Sequence, residues 1–289
     1  MITSANNPKI KYVKDLSSKS KIRKAEGCFV AEGVKMFLEA PKKRIVSVFV
    51  SESLHTQLKN TKDLNKNYAA LRNKLSGLEY EIVADAIYEK MSDTVTPQGV
   101  LAVVKSPEYT LSEILGGTKC SETDGGKSSI SGSGISAGLY LILENLQDPG
   151  NLGTIFRTAE AAGVKGIILG EGCVDLYNPK VIRSTMGSVY RMPYIYVKNL
   201  TETMEQMRNA HVTLYAATLT AKSSPCYDKD YRKASAFLIG NESKGLSEAA
   251  VEASDEQVYI PMEGQGESLN ASVAAAVLMF EAARQRKFG

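Results

Sequence analysis

From residue 139 onward, apolar residues come in short unbroken runs, with helically spaced stretches between most of them. The runs are 139–143, 166–169, 195–197, 213–217, 236–239 and 257–260. Each is too short for a buried helix and rich in aliphatic or aromatic residues, so each reads as a strand. Strand and helix in alternation predict a parallel sheet with helices on both faces. The last run is stopped by Pro261, and a polar loop with two glycines follows. Then Leu269, Val273, Ala276, Val277 and Phe280 recur at +4, +7, +8 and +11, the spacing of an apolar helix stripe. A strand, a glycine loop and a helix are how α/β proteins build a ligand site at the carboxyl edge of a sheet. Ser268 or Asn270 would cap that helix through a side-chain oxygen.

The first hundred residues have a different rhythm. Ile10, Val13 and Leu16 predict a short helix within 1–24. Strands are expected at 45–50, 79–83 and 99–104, with helices at 52–60 and 85–91. This is a small αβ unit with its own core. Between the halves, 106–138 is rich in Gly and Ser, the composition of a flexible linker. Its glycines precede a strand instead of following one, which is the wrong context for a dinucleotide fingerprint. The expected division is therefore 1–106, a linker at 107–137, and 138–289.

Charge sharpens that division. Residues 1–107 hold 18 Lys and Arg against 11 Asp and Glu; residues 108–289 hold 17 against 21. A basic first part beside a mildly acidic second part fits contact between the first and a polyanion. Lys9, Lys11, Lys21, Arg23 and Lys24 are the expected phosphate contacts. Four scattered cysteines and two histidines offer no metal-ligand spacing and no disulfide frame, so no metal is expected. Reduced thiols suit a cytoplasmic protein. No run approaches the roughly 18 apolar residues of a membrane span, and the amino terminus lacks a signal-peptide core.

Three polar segments carry the candidate chemistry: NLQDPGNLGTIFR at 145–157, LIGNESKGL at 238–246, and IPMEGQGESLNAS at 260–272. Asn151 is placed to cap a helix striped by Leu152, Ile155, Phe156 and Ala159, with Gly163 as its stop. Arg157 lies off that stripe, and a surface ion pair explains it as well as a catalytic role does. Gly240 ends a strand, where a ligand can approach the backbone. Glu242 is a base candidate by residue type.

In this order the three segments resemble the motifs of the SpoU/TrmH family of RNA 2'-O-ribose methyltransferases, in the SPOUT superfamily. The resemblance covers about 138–289. Segments 28–33 and 96–102 are similar to the SpoU substrate-binding domain, itself like ribosomal and kink-turn RNA binders. The resemblance implies an α/β fold with a deep trefoil knot, S-adenosylmethionine as cofactor, and a homodimer formed through the carboxyl-terminal domain. It also implies RNA as partner, with ribosomal RNA favoured over transfer RNA.

The family pattern places Asn151, Arg157, Ser268 and Asn270 at the acceptor side, and Glu242 in a structural or acceptor-side role that ranks below Arg157. Gly240, Ile260 and Leu269 match donor-contacting positions, and Ala217, Thr218 and Met262 are expected beside them. Arg183, in a segment that also resembles the family, would touch RNA or pack against the first motif. The loop 263–267 is more acidic than in many relatives. A noncatalytic RNA-binding or ribosome-assembly factor is the competing reading. A Rossmann-type enzyme would need a glycine fingerprint that 145–150 does not supply.

Overall fold

The structure is a computed structural model that describes residues 1–60, 65–116, 138–266 and 268–289. The chain forms two compact units: residues 1–107 with 175–190, and residues 108–174 with 191–289.

In the first unit, α1 (Pro8–Ser18) and α2 (Ser20–Glu26) lead into β1 (Cys28–Glu32) and α3 (Val34–Glu39). β2 (Ile45–Ser51), α4 (Glu52–Asn60), α5 (Lys66–Leu75), β3 (Glu81–Val83), α6 (Asp85–Met91) and β4 (Val100–Lys105) follow. The four strands pair in the order β1-β4-β2-β3, antiparallel except for β2 with β3. Ile10, Val13 and Leu16 are fully buried and pack with Phe49, Tyr88 and Leu101, so the sparse stripe in a lysine-rich segment anchors α1. Two helices stand where one short helix is expected. Gly27 separates α2 from β1 with a left-handed backbone (φ 57°).

The second unit opens with α7 (Leu111–Ile114). Thr110 and Glu113 cap it reciprocally, so this part of the expected linker is ordered. Residues 117–137, the Gly/Ser-rich remainder of that linker, lie outside the described residues. The sheet strands are β5 (Leu139–Leu143), β6 (Gly166–Leu169), β7 (Tyr194–Tyr196), β8 (Thr213–Ala217), β9 (Ser224–Pro225), β10 (Ser235–Ile239) and β11 (Glu256–Tyr259). The helices are α8 (Pro149–Ala162), α9 (Pro179–Thr185), α10 (Leu200–Asn209), α11 (Glu248–Glu252) and α12 (Ala271–Phe288). The segment 175–190, which carries α9, clusters with the first unit although it lies in the second half of the sequence.

All seven strands run parallel in the order β7-β6-β5-β10-β8-β11-β9. β5, β6 and β10 are buried along their whole length. That explains their unbroken apolar runs: a parallel strand covered on both faces has no polar side. The edge strand β9 is two residues long and ends in Pro225, a residue that cannot extend a ladder inward.

Two expectations are corrected here. The cap of α8 is Asp148, whose side chain accepts from the Asn151 N–H at 2.7 Å. Pro149 then takes the first helical position, where its missing N–H costs nothing. Asn151 is thus inside the helix and buried. Gly163 ends the helix in the left-handed region, as expected. In α12 the buried face is Ser272, Ala275, Leu278, Met279 and Ala282, while Val273 and Phe280 are about half exposed, at 47% and 51%. The stripe read from sequence is the outward face. α12 is apolar on both sides, so periodicity alone picked the wrong one.

Candidate active site

The carboxyl ends of β8, β10 and β11 open onto one cavity of about 520 Å³. Ala217, Thr218, Gly240, Ile260, Met262 and Leu269, the six residues expected to hold the donor, all line it, and Ser268 and Glu242 join them. Its walls mix aliphatic side chains with the polar loop 241–245, the composition of a small-molecule site that grips an apolar body and orients it by a few polar groups.

Gly240 has a different duty from the one its position suggests. A Cβ there would overlap the backbone of Gly245 and Leu246. Glycine is required because the loop folds back on its own strand, not because a ligand needs the space. Asn241 and Gly245 exchange backbone hydrogen bonds of 2.9 Å in each direction, and Gly245 takes a left-handed backbone (φ 69°). The Asn241 Oδ1 accepts from the Ser243 and Lys244 N–H groups, both at 3.0 Å, and its Nδ2 donates to the Asn145 carbonyl at 2.9 Å. Asn145, itself at φ 52°, thereby ties the turn after β5 to this loop.

The three motif segments are joined through Asn151, which bonds Glu242 on one side and Asn270 on the other. The Glu242 carboxylate accepts from the backbone N–H of Asp148 at 3.0 Å and of Gln147 at 3.3 Å. Asn151 Nδ2 donates to it at 3.1 Å, and Asn241 Nδ2 at 3.4 Å. Asn270 Nδ2 in turn donates to Asn151 Oδ1 at 2.9 Å. The other end of Asn270 caps α12, accepting from the Ser272 N–H at 2.9 Å and the Val273 N–H at 3.4 Å. Of the two expected caps it is Asn270, not Ser268, that serves. Partial burial raises the Glu242 pKa, but the hydrogen bonds from Asn151, Asp148 and Gln147 outweigh it and hold the carboxyl below its usual range. A carboxylate offers about four lone-pair sites, and four donors already occupy this one. Such a group holds its neighbours in place and has little basicity to lend.

Arg157 stands apart. It is exposed on α8, is not among the cavity-lining residues, and has no ion pair among the described residues. The ordinary surface salt bridge that would explain it is absent there. Among the expected RNA contacts, Lys11, Lys21 and Lys24 are exposed, and Lys9 is exposed but pairs with Glu81. Arg183 pairs with Asp93 at 2.6 Å and stays partly accessible. Arg23 is a correction: it is 5% exposed, binds Asp175 at 2.7 Å and donates to the Leu16 and Ser17 carbonyls. Buried and engaged on all three nitrogens inside the protein, its guanidinium is not presented to phosphate. Glu267, in the acidic loop, lies outside the described residues.

Sequence reasoning missed Asp148 and Asn241. An Asp followed by Pro-Gly is a cap signature that favours Asp148 over Asn151. Nothing local marks the reach of Asn241 to Asn145, which lies 96 positions away. Among the described residues, no group of three or more His, Cys, Asp or Glu could hold a metal ion.

Residues 138–280 match the model of the SpoU rRNA Methylase family, and residues 7–102 match the MRM3-like substrate binding domain. Over 279 residues the sequence is 31% identical to the 23S rRNA (guanosine(2553)-2'-O)-methyltransferase RlmP of Bacillus subtilis, covering 96% of this chain and 97% of that one. The chain belongs to the SpoU rRNA methylase family. It is also 37% identical over 155 residues to a 23S rRNA (uridine(2479)-2'-O)-methyltransferase of Streptomyces viridochromogenes, covering 52% of this chain and 54% of that one.

Among solved structures it resembles the SpoU methyltransferase AviRb of Streptomyces viridochromogenes in complex with AdoMet. The TM-score is 0.76 at 27% identity, over 98% of this chain and all of that one. An AdoMet-bound rRNA methyltransferase of Sinorhizobium meliloti gives a TM-score of 0.75 at 28% identity, over 100% of this chain and 98% of that one. SpoU enzymes use S-adenosylmethionine, and the cavity fits it. Its volume falls within the range of about 300–1,000 Å³ usual for ligand sites. It also pairs apolar walls for an adenosine with a polar loop for a charged amino-acid end.

Proposed function

We propose that this protein methylates a ribose 2'-hydroxyl in large-subunit ribosomal RNA. The observation that carries the reading is the chain Asn270–Asn151–Glu242, which joins all three motif segments beside the cavity. S-adenosylmethionine supplies a methyl group already activated by its sulfonium. The protein's part is alignment and handling of the hydroxyl proton. Glu242 fixes the loop 241–245 and the start of α8; Asn151 and Asn270 carry that order to the start of α12, and Ser268 presents a hydroxyl to the cavity. Arg157 grips an RNA phosphate and polarises the ribose hydroxyl. A guanidinium, with a pKa above about 12, is no base at neutral pH, so the proton passes to phosphate or water.

The amino-terminal part, about 1–106, recruits RNA through Lys11, Lys21, Lys24 and the partly engaged Lys9, and Arg183, on the segment 175–190 that clusters with it, adds a further contact. The catalytic part, about 138–289, forms a homodimer through α12, where exposed Val273 and Phe280 flank the half-buried Ala276 and Val277 in an apolar face that a second copy covers. We carry the trefoil knot too, supported by α12 returning to pack on α8 after the chain has supplied the central strand; a crystal structure traced through 240–270 checks it. A ribosomal RNA substrate supports a cytoplasmic location.

The deciding experiment maps 2'-O-methyl sites in total RNA with and without the protein. Loss of one site in large-subunit RNA supports the proposal, and loss in transfer RNA moves the substrate. No lost site, together with no S-adenosylmethionine binding by calorimetry, leaves a noncatalytic RNA binder.

A further inference from the structure

The turn 241–245 stands between two clefts. On one side is the donor cavity; on the other is a cleft of about 450 Å³ at the carboxyl ends of β5 and β6. Asn241, Lys244 and Gly245 line both. The backbone of the turn is fixed by the protein itself. Asn241 and Gly245 pair as an antiparallel bridge, and Asn241 Oδ1 accepts from the Lys244 N–H at 3.0 Å. The Lys244 side chain is what the turn leaves over. It is exposed and has no ion pair among the described residues.

Among the described residues lining the donor cavity, Lys244 is the one basic side chain and Glu242 the one acidic. S-adenosylmethionine carries a sulfonium, an α-ammonium and a carboxylate. The first two are at ease near Glu242. The carboxylate only accepts hydrogen bonds, and an ammonium with three donors and no acceptor suits it. The start of α12 is a poor substitute, because Asn270 already takes the Ser272 and Val273 N–H groups.

We propose that the Lys244 ammonium binds the carboxylate of S-adenosylmethionine and so separates the donor from adenosine ligands that lack one. The inference rests on this cavity holding the donor, and not on which RNA is methylated. An RNA phosphate is the rival partner for an exposed lysine. On the far side of the turn, however, Lys244 shares its cleft with Glu144 and Glu171, two carboxylates that disfavour an anion there. On the donor side the single acid, Glu242, already accepts from four donors.

The test is calorimetry on the full-length protein with two ligands: S-adenosylmethionine, and its decarboxylated form, which keeps the adenosine, the sulfonium and the amine. Lys244→Ala and Lys244→Gln should each weaken S-adenosylmethionine about tenfold, the order of one charge-assisted hydrogen bond in a wet site. The decarboxylated ligand should bind wild type and both variants alike, to within about twofold. Lys244→Arg should keep most of the wild-type affinity. Added salt should weaken S-adenosylmethionine binding to the wild type more than to Lys244→Ala.

An equal loss for both ligands overturns the proposal, since it assigns the effect to the shape of the turn. So does unchanged S-adenosylmethionine affinity in both variants, and a fall in RNA binding beside it gives Lys244 to phosphate. A wild type that binds neither ligand removes the donor from the cavity, and the proposal with it. A wild type that binds both, with no difference between the ligands on substitution, removes Lys244 alone and leaves the donor site standing.

Discussion

Asn151 Nδ2 donates to Glu242 Oε1 at 3.1 Å across 91 positions of sequence. This one bond joins the start of α8 to the loop after β10, and therefore couples the shape of the cavity to a charge that never needs to move a proton. Glu242→Gln keeps the size but turns an amide NH₂ toward donors that want an acceptor. An unsatisfied polar group of this kind costs about 1–3 kcal/mol when buried, and less where water reaches it. We expect a small fall in Tm and at least a tenfold loss in single-turnover methylation. A variant with wild-type turnover would remove the Asn151–Glu242 link from the mechanism.

The same carboxylate sets an acid limit. Its folded pKa lies below the ordinary value, so the folded state binds fewer protons than the unfolded one in that range. The stability it contributes is present above the unfolded pKa, about 4.3, and drains away as pH falls through the lowered folded value. Wild type and Glu242→Gln melted from pH 7 to pH 3 should therefore converge at the acid end. A constant gap in Tm would refute the linkage.

Gly240→Ala is expected to damage more than its single methyl suggests. The added Cβ meets Gly245 and Leu246 backbone, which cannot rotate away as a side chain would. The loop must open, so S-adenosylmethionine affinity should fall tenfold or more while the far-ultraviolet spectrum is retained. Calorimetry at wild-type affinity would show that the loop tolerates the intrusion.

Arg157 should behave in the opposite way. It is outside the lining of the cavity, so Arg157→Ala should bind the donor normally and lose methyl transfer a hundredfold or more. Arg157→Lys keeps the charge but not the two-pronged geometry and should recover only part of the rate. Near-native single-turnover rates in both variants would remove the residue from the chemistry.

Arg23 and the exposed lysines should separate cleanly. Arg23→Ala leaves Asp175, whose side chain is 15% exposed, without its partner; a fully buried pair would cost about 3–5 kcal/mol to break, so a smaller but clear fall in Tm is expected. Lys11→Ala and Lys21→Ala should leave Tm unchanged and make RNA binding less dependent on salt. The reverse pattern would exchange their roles.

Phe280→Asp tests the outer face of α12. Sedimentation should find two copies of the wild type and one of the variant. A wild type that runs as a monomer at micromolar concentration would retire the dimer.

How much of this was legible in the sequence depended on whether the deciding contact was local. β5, β6 and β8 start and stop where their apolar runs do, because a strand buried on both faces leaves an unbroken signature. Gly240, Ile260 and Leu269 were found through motif resemblance, and the cavity gathers them with Ala217, Thr218 and Met262. α5 escaped notice because only Leu71 and Leu75 are buried in it, too few for a stripe. The α12 stripe misled because alanine-rich helices are apolar all round. The cap of α8 was legible locally, in Asp148 before Pro149 and Gly150, but the side-chain partners of Asn151, Glu242 and Asn270, lie 91 and 119 positions away. No window of sequence contains them.

The place of β10 in the sheet sets the order in which this protein can be made. It lies between β5 and β8 yet is synthesised after both, so a nascent polypeptide that stops short of Ser235 holds two strand edges with no neighbour between them. Such edges invite pairing with other chains, and contacts this distant in sequence close slowly. Folding of the catalytic half must therefore wait for nearly its whole length to emerge, and the cell must shield it until then.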